Sequence, residues 1–134
     1  MTDTAPPAPV AARQVAIAAA IDVASIVIFV AIGRKSHAED GSVLRETAKV
    51  AAPFLIALAA GWLAARAWKA PRAVATGVVI WLVTVVLGMV LRKVLFDGGT
   101  ALPFIIVASA FTLLFLVGWR MLAEWRAERA AAQD

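Results

Sequence analysis

The chain has 134 residues, 63% of them hydrophobic, with no cysteine, one histidine, a formal net charge of +4 and a mean hydropathy of +0.87. That much apolar surface exceeds what one soluble core of this size can hide, which leaves lipid as its solvent. Disulfides, thiolate metal sites and cysteine nucleophiles are excluded, and a zinc site would have to be built from His37 and carboxylates alone, so neither metal nor cofactor is expected. The basic balance does not point to nucleic acid, because the thirteen Lys and Arg sit at the ends of apolar runs instead of along one amphipathic face.

Residues 1–13, with Pro6, Pro7 and Pro9 among small residues, read as a disordered N-terminal tail. The first apolar run, Val15 to Ile32, carries a single charge, Asp22, and is long enough to approach a hydrocarbon thickness of about 30 Å. It predicts a retained helix over about 14–33. The second run, Val50 to Ala65, is short and lies between Lys49 and Arg66, whose stems would reach outward to complete a helix over about 47–68. Ser42 could cap an extension through Val43 to Lys49, in which case Pro53 falls inside the helix and should kink it near Ala52.

The third and fourth runs, Ala73 to Leu91 and Gly98 to Trp119, predict helices over about 72–92 and 100–122. Pro71 would open the third, and Asp97 with Gly98-Gly99 would make the turn into the fourth. A short polar tail, 124–134, follows. The connections leave no room for an extramembrane domain, so the expected architecture is an all-α, integral-membrane, up-down-up-down four-helix bundle over 14–123. Seven Lys and Arg lie on the side holding both termini and six on the other, which favours cytoplasmic termini by one charge. Trp62, Trp68, Trp119 and Trp125 mark the terminal-side interface. Pro53-Phe54 recurs as Pro103-Phe104 and Gly61-Trp62 as Gly118-Trp119, either an echo of a duplicated hairpin or coincidence.

Asp22 is the one ionisable residue inside a span. A carboxylate there must face the bundle, pair, or carry a proton. Arg120 is the closest candidate partner, with Thr112 and Trp81 at similar depth and Ser25 on the same helix face as Asp22. Two readings stand: a proton or cation site in a transporter, or a pair with Arg120 (or a bond to Thr112) that locks the first helix to the fourth. At the opposite side, Arg34, His37 and Arg92 either decorate helix C-termini or converge on an anionic headgroup or small anion. The small residues Ala16, Ala20 and Ala24, then Ala57, Gly61 and Ala65, and Ala73 with Gly77, predict close helix contacts within the bundle or between protomers.

Taken in order, several motifs resemble the bacterial membrane family catalogued as domain of unknown function 3054. They are Asp22, Gly33-Arg34-x-x-His37, Pro53-Phe54, Gly61-Trp62, Trp81 with Thr84, Gly88 and Arg92, then Phe104 and Gly118-Trp119-Arg120. The resemblance implies a four-helix protein of a bacterial inner membrane and carries no activity. The expectation is therefore a non-enzymatic multi-pass protein whose partners are the lipid bilayer, a second copy, or a larger membrane complex. A small proton- or ion-coupled transporter acting as an oligomer is the rival.

Overall fold

The computed structural model describes residues 5–35 and 43–134, without the side chains of residues 34, 35 and 43. It contains four α-helices: α1 (Ala12–Lys35), α2 (Val43–Ala65), α3 (Val74–Val94) and α4 (Leu102–Ala131). Each is long and apolar enough to cross a membrane. The helices pack in ring order, α1 on α2, α2 on α3, α3 on α4 and α4 on α1, with α1 and α3, and likewise α2 and α4, on the diagonals.

Consecutive helices run antiparallel, as their contacts show. Asp22, in the first half of α1, meets Trp62 near the end of α2 and Arg120 in the second half of α4, whereas Phe29, later in α1, meets Phe54 at the middle of α2 and Phe104 near the beginning of α4. The α2–α3 pair is the most intimate because small residues let the backbones approach. A Cβ on Gly61 would lie 3.1 Å from the Ile80 carbonyl oxygen, and one on Gly88 would lie 2.6 Å from the Phe54 ring. Phe29, Phe54, Phe104 and Phe111 interlock with centroids 5.1–6.5 Å apart, filling the half of the bundle away from the termini.

Several boundaries differ from those expected. Helix two ends at Ala65 instead of near residue 68, and the reason is local. Arg66 adopts φ 48°, its N–H bonds the Leu63 carbonyl (3.2 Å), and the Ala67 N–H bonds the Trp62 carbonyl (3.0 Å). That is the Schellman arrangement, with arginine in the left-handed position usually held by glycine and a fully buried Ala67 as its apolar contact. At its start, α2 reaches back to Val43, as the extension envisaged; Ser42, the cap proposed for it, lies outside the described residues. Pro53 falls inside α2, as it does if the helix extends back to Val43, and it cannot supply the hydrogen bond that the Lys49 carbonyl would have received.

Pro71 does not open α3. It lies buried in the connecting turn, and α3 begins at Val74, whose N–H is capped by Glu124 Oε1 from α4 at 3.0 Å. A carboxylate at that helix N-terminus is favoured by the backbone dipole. In the turn into α4, Asp97 takes the positive φ (47°) while Gly98 and Gly99 do not. The expected polar tail beyond residue 123 is instead helical to Ala131, so α4 is 30 residues long and outruns a hydrocarbon layer of about 30 Å.

Candidate functional site

Asp22 and Arg120 lie ten residues into α1 and eleven from the end of α4, and both side chains are 0% exposed. Arg120 Nη1 donates to Asp22 Oδ1 at 2.9 Å and Nη2 donates to Oδ2 at 2.7 Å, a parallel two-pronged ion pair. Two indoles complete the carboxylate's shell. Trp62 Nε1 on α2 donates to Oδ2 at 2.9 Å, and Trp119 Nε1 on α4 donates to Oδ1 at 3.0 Å. A carboxylate offers about four acceptor positions, so a bound cation would have to displace one of these donors.

The guanidinium is held from its other edge as well. Nε donates to the Pro71 carbonyl (2.9 Å) and Nη1 also donates to the Leu116 carbonyl (2.6 Å). The Arg120 carbon Cζ lies 4.5 Å from the Trp119 ring centroid, a cation–π contact that shields it from lipid. Gly77 supplies the space for the stem, since a Cβ there would come within 2.7 Å of Arg120 Cδ. The 66–73 turn thus folds back over the pair: its Pro71 oxygen touches the cation and its Ala67 packs into the core below. With four bonds from the guanidinium and four to the carboxylate, the buried charges avoid most of the several kcal/mol, of order, that an isolated ion would cost in hydrocarbon.

The other polar candidates do not join this cluster. Ser25 Oγ bonds the Ile21 carbonyl (2.7 Å), Thr112 Oγ1 bonds the Ala108 carbonyl (2.6 Å), and Trp81 Nε1 bonds the Ser109 carbonyl (3.0 Å). The alternative bond from Asp22 to Thr112 is therefore not the one the structure makes. Thr84, in the middle of α3, has a buried hydroxyl with no hydrogen-bond partner among the described residues. Trp62 and Trp119, expected at the membrane interface, have half-buried rings that turn their N–H groups inward to Asp22. The repeated Gly-Trp pair was the signal that could have linked them.

No convergence of Arg34, His37 and Arg92 can be described, because His37 and the Arg34 side chain lie outside the described residues. Arg92 turns to its own loop, donating from Nε to the Gly99 carbonyl (2.8 Å) with Cζ 4.5 Å from the Phe104 ring centroid. Of the small residues, Ala57, Gly61 and Gly77 are buried and Ala65 and Ala73 half-buried, whereas Ala16, Ala20 and Ala24 are exposed and face outward from α1. For that stripe, the within-bundle contact is corrected: Asp22, Ile26 and Phe29 occupy the inner face, and the stripe lies behind them. Among the described residues no cluster of His, Asp and Glu could hold a metal.

Four membrane-length apolar helices closed around a buried Asp–Arg pair define a multi-pass membrane protein of the four-helix-bundle class. Residues 19–123 match the family described as protein of unknown function, DUF3054, and the chain belongs to that family. Membership assigns no activity. No curated protein and no solved structure matches the chain.

Proposed function

We propose that the protein is a non-catalytic, non-conducting membrane component, in which the Asp22–Arg120 pair is a strut and the exterior of the bundle carries the function through association with other membrane constituents. The observation that carries this reading is the four-fold hydrogen bonding of the Asp22 carboxylate, which leaves no acceptor position for a coupling ion. Among the described residues the buried hydroxyls of Ser25 and Thr112 bond backbone carbonyls and not a base, which supports a non-catalytic reading. The outward stripe of Ala16, Ala20 and Ala24 supports packing of α1 against another helix, in a second copy or as an accessory subunit of a larger complex.

The test is proton and cation flux in sealed proteoliposomes carrying wild type or Asp22→Asn. No flux above protein-free vesicles is expected from either. Flux in wild type that Asp22→Asn abolishes, in a variant still helical and monodisperse, sinks this reading in favour of a small ion-coupled transporter. We further propose a bacterial inner-membrane location with both termini cytoplasmic, supported by the seven-to-six division of Lys and Arg. Because the chain has no cysteine, Ala5→Cys and Gln133→Cys provide clean probes. Labelling of either by an impermeant thiol reagent added outside intact cells would overturn that orientation.

A further inference from the structure

A groove of about 580 Å³ runs between α1 and α2 on the outside of the bundle, and its lining is almost wholly apolar: Ala19 and Val23 on one wall, Leu55 and Ala59 on the other, with Trp62 and Trp68 at one end. From Leu55 to Trp62 the helical rise gives it a length of roughly 10 Å along the membrane normal. That shape and depth suit one hydrocarbon chain. What distinguishes it from the rest of the lipid-facing surface is the end at which it closes.

Trp68 lies in the 66–73 turn, between Arg66 and Lys69 and shortly before Arg72, and all three cations are exposed. No acidic residue occurs anywhere from residue 47 to 96. The described acid that approaches this turn from a neighbouring helix, Glu124, is engaged in capping Val74. Among the described residues none of the three cations makes an ion pair; the pairs formed are Asp22 with Arg120 and Glu46 with Lys49. The turn is fixed below by Ala67 in the core and by the Pro71 carbonyl on Arg120, and it carries its three cations at the same end of the bundle as Trp68, the turn residue that lines the groove.

We propose that this groove and turn form a binding site for an anionic phospholipid, with one acyl chain between α1 and α2 and the phosphate against Arg66, Lys69 and Arg72. The site goes beyond the strut reading and does not depend on it. Chain and headgroup recognition come from separate residues. Each cation that meets an anionic headgroup is worth roughly a five-fold preference over a zwitterionic one.

The experiment is quenching of tryptophan fluorescence in phosphatidylcholine vesicles doped with either phosphatidylglycerol or phosphatidylcholine brominated along the chain. The relative binding constant is compared for wild type, the triple variant Arg66→Gln/Lys69→Gln/Arg72→Gln, and Ala59→Phe, which fills the groove from a lipid-facing position. Wild type should prefer the brominated phosphatidylglycerol by roughly five-fold or more, and both variants should lose that preference while keeping wild-type helicity. Equal quenching by the two lipids in wild type overturns the site. So does a preference that survives the triple variant, since the headgroup would then not be read by these cations, or one that survives Ala59→Phe, since the groove would then be irrelevant. Should a variant lose helicity, Ala19→Phe replaces the groove variant with the same expectation, and the single Lys69→Gln replaces the triple variant, with the preference expected to fall by roughly five-fold and an unchanged preference overturning the site.

Discussion

Removing either member of the Asp22–Arg120 pair should be far more damaging than removing both. Arg120→Met keeps most of the stem beside Gly77 but leaves Asp22 buried with only two indole donors, and breaking a buried pair in this way costs about 3–5 kcal/mol. Asp22→Leu strands the guanidinium with its carbonyl partners and should cost a similar amount. The double variant Asp22→Leu/Arg120→Met contains no stranded charge. Its remaining penalty comes from the Pro71 carbonyl, which loses its Arg120 donor, and from the orphaned Trp62 and Trp119 N–H groups, at about 1–3 kcal/mol each when fully buried and less for the indoles because both rings are half-exposed. The coupling energy should therefore be at least about 3 kcal/mol in favour of the pair. Reversible unfolding in mixed micelles, titrated with sodium dodecyl sulfate and followed by helicity and tryptophan fluorescence, measures all four corners of the cycle. A coupling within about 0.5 kcal/mol of zero would show that the two charges do not stabilise each other and would refute the strut.

Three further substitutions probe the surroundings of the pair in the same assay. Gly77→Ala should destabilise by about 1 kcal/mol or more despite alanine's better helix propensity, because its Cβ would press on Arg120 Cδ at 2.7 Å and on the Leu116 carbonyl at 3.1 Å; a gain in stability would mean the stem relaxes freely. Arg66→Gly, measured without anionic lipid, should stabilise by up to about 1 kcal/mol by relieving the left-handed backbone at φ 48°. An unchanged or lower unfolding midpoint would count against the Schellman account of how α2 stops. Thr84→Val should be neutral or stabilising by about 1 kcal/mol, since it removes a buried hydroxyl without a partner among the described residues. A loss of more than about 1 kcal/mol would reveal a hydrogen bond at that position.

The membrane-spanning character and the number of helices were legible because hydrocarbon imposes a long, uncharged run on every crossing, and each run here is bounded by Lys, Arg, Pro or Gly. The Asp22–Arg120 partnership was legible as one of two options for the same reason: a lone intramembrane acid needs company, and Arg120 is the cation nearest in depth. The indoles were harder to place. Tryptophan near a helix end is ordinarily an interfacial anchor, and nothing in a single sequence says which way its N–H turns. The end of α2 was illegible because Arg66, instead of glycine or asparagine, occupies the left-handed position. The outward stripe on α1 shows the converse: spacing by four identifies a face, but only packing says whether that face looks in or out.

The acid that fastens α1 receives its bonds from Trp62 and Arg120, which follow it by 40 and 98 positions along the chain. During synthesis α1 therefore enters lipid long before the arginine that will neutralise it exists. Trp62 can reach the carboxylate once α2 has been made, but the charge is balanced only when the last helix arrives. Assembly is thus gated by α4: a chain halted before α4 should hold α1 loosely, and one that includes α4 should close all at once. Proteolysis of nascent chains arrested after Lys93 or after Ala131 would reveal this as a late, abrupt gain of protection in α1. Protection already complete in the shorter chain would show that α2 and α3 suffice to seat the first helix.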